Sequence, residues 1–171
     1  MRFFKFYIQK EGTDSSGNAY PVKESGKDFG VYEKECKFYG GRELKDIAKR
    51  DWHDHNGDDE FIPAIPVFKA KSIEIKFACK GDLYSSNNKI KSFMEALAEN
   101  GSMKIYDEYN HIGRRGVRFD SIPDDATLYR KMDGVDEALV FTVKMKINDP
   151  VTEVSLVTDK GGNVTDLRIE Q

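Results

Sequence analysis

The residues best equipped for chemistry fall in one polar run, Asp51-Trp52-His53-Asp54-His55-Asn56-Gly57-Asp58-Asp59-Glu60. Two histidines and five carboxylates share these ten residues, and both side-chain types bind divalent cations. A metal-dependent hydrolase or nuclease is the chemistry such a cluster would serve. The spacing argues against it. His53 and His55 face the same way only on a strand, and no distant His/Cys pair exists to close a site, His111 being the one other histidine. The acids and Gly57 are also misplaced for a calcium-binding loop. The run reads as a solvated acidic loop holding no metal and no cofactor.

Other candidates have simpler explanations. Arg114, Arg115 and Arg118 form a small basic cluster near a turn, where arginines commonly pair with nearby acids. Gly40-Gly41 and Gly161-Gly162 lack the lysine and following helix of a phosphate-binding loop, so they read as turns. Phe3, Phe6, Tyr7, Phe38 and Tyr39 lie in strand-like segments and read as packing residues. No Ser-His-Asp or Cys-His arrangement has supporting context, so no catalytic residue is assigned and no enzyme is expected.

The composition is consistent with that. The chain has 171 residues, enough for one domain with a sizeable core. Charged residues make up 33%, but the signs are mixed and the net charge is only -3, unlike a general nucleic-acid binder. Met1 to Lys10 is too short and too charged for a signal peptide, and no later stretch approaches a membrane span. Cys36 and Cys79 make no disulfide framework; Cys79 reads as a small buried hydrophobe, and a cytoplasmic setting is expected.

The elements that would position these residues are clearest from Ser72 to Phe119. Ile73, Ile75, Phe77 and Cys79 alternate with Glu74, Lys76 and Lys80, the pattern of a half-buried strand. Ser85, Ser86, Asn87 and Asn88 offer helix caps, and Ile90, Phe93, Met94 and Leu97 recur at helical spacing up to Asn100-Gly101. A hairpin follows, with Met103 and Ile105 on one strand and Val117 and Phe119 on the other. Upstream, Phe4, Phe6 and Ile8 predict an opening strand. Ala19 to Val22 begins its partner, Ser25 to Gly30 is a break, and Val31 to Tyr39 is a strand with one wet face. A helical turn is predicted between Arg42 and Arg50. Pro63 and Pro66 keep the chain extended beyond it. Downstream, Ile122 to Asp136 is a loop and Ala138 to Ile147 a strand. Val151 to Thr158 and Val164 to Ile169 flank a terminal glycine turn as a hairpin. No linker divides residues 1–171.

The order of these elements resembles phage tail proteins of the tail-tube and distal-tail group, as carried in prophages. The similarity is strongest in Lys71 to Lys80, the following helix, and Gly101 to Tyr109. Gly40-Gly41-Arg42-Glu43-Leu44 is similar to the loop preceding that strand, without its proline and second glycine. The strand ending in Asp149-Pro150 is also similar. The resemblance implies a mainly β (α+β) fold of two packed antiparallel sheets, sandwich or barrel-like, with one flanking helix and a long loop. It also implies a homo-oligomeric ring joined through sheet edges, neighbouring tail proteins as partners, and DNA passing through a channel without specific binding. The protein would be cytoplasmic during assembly and then part of the virion tail, with no membrane contact. The loop from Gly40 to Pro66 would be the assembly arm, with Trp52, Phe61 and Ile62 as its apolar anchors. Two alternatives stand beside this: a metal-dependent enzyme using Asp51 to Glu60, and a monomeric module whose loop grips a protein or carbohydrate.

Overall fold

In a computed structural model, which describes residues 4–39, 42–130 and 137–170, the chain is mainly β with two helices, an α+β fold. Its centre is strand β6 (Lys71–Lys80). Ile73, Ile75, Phe77 and Cys79 are buried there, while Ser72, Glu74 and Lys80 are exposed. Strand β10 (Glu137–Ile147) pairs with β6 along nearly its whole length, from Ala138 opposite Lys80 to Ile147 opposite Lys71. Strand β3 (Val31–Cys36) takes the other edge of β6. Beyond β10 the sheet continues through β8 (Ile112–Ser121), β7 (Met103–Asp107) and β1 (Phe6–Lys10).

Every pairing in this sheet is antiparallel. Ahead of β1, Phe4 pairs with Glu33 of β3, so the sheet returns to its own start and rolls into a barrel. Strand β2 (Lys23–Glu24) shares that edge of β1, and β9 (Thr127–Arg130) pairs with the part of β10 that β8 leaves free.

The barrel interior is packed with side chains. Phe6, Ile8, Ile75, Phe77, Ile105 and Val143 are all fully buried. Helix α2 (Leu83–Asn100) adds Ile90, Phe93 and Leu97 to this core, with the Phe93 ring edge-on to Phe77 at 5.0 Å. The helix begins earlier than the capping residues at Ser85 to Asn88 predict. Asp82 is the N-cap, and its carboxylate accepts the backbone N–H of Ser85 at 2.7 Å. The predicted break at Ser25 to Gly30 is a short helix, α1 (Ser25–Phe29), ended by Gly30 in the left-handed region. It sets the Phe29 ring 5.4 Å from that of Phe93.

Strands β11 (Val154–Thr158) and β12 (Val164–Ile169) form the predicted terminal hairpin, which packs through Val154 and Leu167 against Tyr7. Gln9, almost wholly buried, ties it to the barrel. Its amide N–H donates to Asp166 at 2.9 Å, and its carbonyl accepts from the Leu167 N–H at 3.1 Å. Two other expectations change. No helical turn forms between Arg42 and Arg50, because residues there are drawn out by pairing across the arm described below. The predicted loop at Ile122 to Asp136 contains β9; its residues 131–136, like Gly40-Gly41, lie outside the described residues.

Candidate functional site

Between β3 and β6 the chain leaves the barrel and returns as a two-legged arm. Its legs are joined from base to tip. The Lys69 N–H donates to the Glu43 carbonyl at 2.8 Å, Leu44 bridges Phe68, and the Lys45 N–H donates to the Val67 carbonyl at 2.7 Å. Further out, the Phe61 N–H reaches the Ala48 carbonyl at 2.9 Å. The arm then becomes a small hairpin of β4 (Lys49–Asp51) and β5 (Asp58–Glu60), in register from Lys49 opposite Glu60 to Asp51 opposite Asp58.

Every residue of β4 and β5 is exposed, so the hairpin has no core of its own. Polar and cation–π contacts hold it instead. Lys49 pairs with Asp58 at 2.9 Å, the Trp52 indole N–H donates to Asp59 at 2.9 Å, and the Arg50 guanidinium lies 3.7 Å from the centre of the Trp52 ring. At the base, Arg42 stacks over Phe68 at 4.3 Å.

The sequence-predicted anchors separate here. Trp52 packs on its own arm and is 38% exposed. Phe61 and Ile62 are 74% and 72% exposed, and Ile65 is 77% exposed. With Leu44, Ile47 and Val67, Phe61 and Ile62 line a mostly apolar groove of about 320 Å³ along one side of the arm. A soluble monomer seldom leaves large apolar side chains grouped in this way. Leu44, Ile65 and Val67 were missed from sequence because the predicted helical turn placed the first elsewhere, and the prolines hid the periodicity of the others.

The histidines and acids of Asp51 to Glu60 do not converge. Asp58 and Asp59 are engaged by Lys49 and Trp52, and the nearest approach of His55 to Asp54 is 4.0 Å with both exposed. The basic cluster is likewise partnered. Arg114 meets Glu153 at 3.4 Å, Arg115 meets Glu11 at 3.3 Å, and Arg118 meets Asp120 at 3.2 Å.

A different group does converge, and sequence reading missed it. Glu33, Cys36 and Asp107 place one potential ligand atom each within 4.8 Å of one another, and all three are buried. Among the described residues this is the one such group of three or more. Neither Glu33 oxygen receives a hydrogen bond. Burial first, then the neighbouring Asp107 side chain, pushes Glu33 up to about 10. Asp107 in turn accepts the backbone N–H groups of Tyr109 at 2.7 Å and Asn110 at 3.3 Å. Burial, above all, pushes the Cys36 thiol up. One signal was available: Glu33 lies two residues from Val31, which alternation turns inward.

No family model matches the chain, and no curated protein does. A solved structure does. The fold is similar to that of the SPP1 Dit (gp 19.1) protein, described as a paradigm of the hub adsorption apparatus in phages infecting Gram-positive hosts. The TM-score is 0.51 and the identity 13%, over 88% of this chain and 52% of that one. The chain therefore spans about half the length of the hub protein it matches. At this identity the likeness is one of fold, and the fold is one that a phage tail protein uses.

Proposed function

We propose that this protein is a non-enzymatic structural component of a phage or prophage tail, forming a ring around a DNA channel. The observation that carries the reading is the arm. A barrel of the kind used by a tail hub protein sends out a paired, coreless projection with an uncovered apolar side. Such a projection has no folding role of its own, whereas a neighbouring subunit seated on Phe61, Ile62 and Ile65 would remove them from water, worth about 1.5–3 kcal/mol for each side chain fully buried.

The barrel limits how the ring can form. Its main sheet is closed on itself through Phe4 and Glu33, so its central strands have no edge to lend. Edge-to-edge joining is left to the arm and the short peripheral strands β2, β9, β11 and β12. The barrel core is filled, so a channel for DNA would lie between subunits and not through one. A net charge of -3 suits a channel wall that DNA passes without sticking.

The test is the assembly state of the purified protein, alone and with neighbouring tail proteins, by light scattering and electron microscopy. A ring that disappears when Asp51 to Glu60 is replaced by a two-residue Asn-Gly turn supports the reading. A shortened chain that still assembles removes the arm from it, and a persistent monomer with all neighbours present favours the monomeric binding module.

A further inference from the structure

We propose that Glu33, Cys36 and Asp107 form a buried site for one divalent metal ion of the zinc class. This stands apart from the arm and from the reading of the protein as a tail component.

The unexplained observation is Glu33. It is fully buried, both its oxygens lack a hydrogen-bond donor, and they point at a thiol and a second carboxylate. An unsatisfied buried carboxylate calls for an explanation: a proton or a cation must sit beside it. Two carboxylates and one sulfur, with ligand atoms inside 4.8 Å, match a borderline-soft ion that accepts both oxygen and thiolate. They suit magnesium and calcium less, since those take oxygen alone.

The surroundings resemble the outer shell that orients metal ligands. The Asn110 amide donates both to Asp107 and, at 3.1 Å, to the Cys36 carbonyl, tying two of the three residues to one side chain. Together with the Tyr109 and Asn110 backbone N–H groups, this fixes the Asp107 carboxylate while leaving one oxygen a free lone pair. Glu33 and Cys36 are fixed by the barrel: their strand bulges between Glu33 and Glu35, and that extra residue turns both Glu33 and Cys36 inward.

Charge decides whether a low-dielectric site tolerates the ion. Burial pushes the Glu33 carboxyl and the Cys36 thiol up, so both favour their neutral forms, and the buried Lys71 side chain interacts electrostatically with Cys36. A divalent ion entering would displace the Glu33 and Cys36 protons, two positive charges for two. The net charge of the group is the same before and after that exchange, so the ion adds no charge to the interior.

The experiment refolds the chain with zinc or cobalt(II), removes excess ion by gel filtration, and measures retained metal by mass spectrometry. One equivalent per chain is expected, with thiolate-to-cobalt charge-transfer absorption and release of two protons per ion near neutral pH. Cys36→Ser and Glu33→Gln are neutral near-isosteres that should fold in chelator, as circular dichroism would verify, yet each should lose the stoichiometric binding. A His53→Ala/His55→Ala variant should keep it. Absence of retained metal, equal retention by Cys36→Ser, or loss in the histidine variant would each overturn the proposal, the first leaving the group as a proton-sharing acid pair.

Discussion

Phe4 and Glu33 exchange a pair of backbone hydrogen bonds, 2.9 and 3.1 Å long, and this pair joins the first strand segment to β3. The same Glu33 sends its side chain inward to Asp107 at the end of β7. Barrel closure and the buried acid pair are therefore properties of one residue, and loosening either should be felt by the other.

Stability should depend on pH through Glu33 when a chelator keeps the site metal-free. The carboxyl is held up to about 10 by burial and by Asp107, against an ordinary value of 4.5. Its contribution is whole below that ordinary value. As pH rises toward 10 only the unfolded chain sheds the proton, so stability declines across the window, by an amount on the order of several kcal/mol. Glu33→Gln should flatten the decline in urea titrations at pH 5, 7 and 9. Parallel curves for the two proteins would show that the carboxyl is not buried as an acid.

The helix should be held by Phe93. Its ring is fully buried between Phe77 and Phe29, so Phe93→Ala should cost about 3–5 kcal/mol. Lys91, on the solvent side, makes only an exposed pair with Glu95 at 3.9 Å, and Lys91→Ala should change stability by about 0.5 kcal/mol or less. Equal losses in a denaturation series would mean that α2 does not pack through this face.

Much of the barrel was legible because burial alternates in register with sequence. Ile73 to Cys79 and Leu139 to Ile147 show period two, and they are the paired walls of β6 and β10. The helix body was equally plain, but its start was not. Leu83 and Tyr84 are exposed, so the apolar stripe carries no mark of the first turn, and the cap is Asp82 in place of the expected Ser85, Ser86, Asn87 or Asn88. Asp82→Ala should cost about 1 kcal/mol where Asn88→Ala is nearly silent. Local spacing misled at Leu44, Ile47 and Ala48, whose helical interval was overridden by pairing across the arm, Leu44 with Phe68 and Ala48 with Phe61. Barrel closure and the Glu33–Cys36–Asp107 group join residues far apart in the chain. No short window contains either.

Gly113 should be intolerant of any side chain. A Cβ there would lie 2.1 Å from the Val154 carbonyl oxygen, where β11 crosses β8 and Arg114 bridges Glu153. Gly113→Ala must push the terminal hairpin away from the barrel, which overpacking elsewhere puts at about 1–3 kcal/mol. Faster amide exchange in β11 and β12, with the β6–β10 pair still protected, is the expected pattern. Unchanged exchange would mean that the hairpin does not need this close approach.

The arm should separate into a part that shapes it and a part that meets a partner. Trp52 belongs to the first: its ring lies under Arg50 and its N–H is spent on Asp59, so Trp52→Ala should loosen the hairpin tip without touching the barrel. Phe61 and Ile62 belong to the second. They are mostly exposed, so Phe61→Ser with Ile62→Ser should leave global stability within about 0.5 kcal/mol. Interfaces draw their energy from a few apolar anchors, so the same double change should remove ring formation or binding to a neighbouring tail protein. A melting temperature that falls sharply in the double variant would place these residues in the domain's own packing. Intact assembly at unchanged stability would show that the partner sits elsewhere, and the short strands β2 and β9 would be the next surfaces to alter.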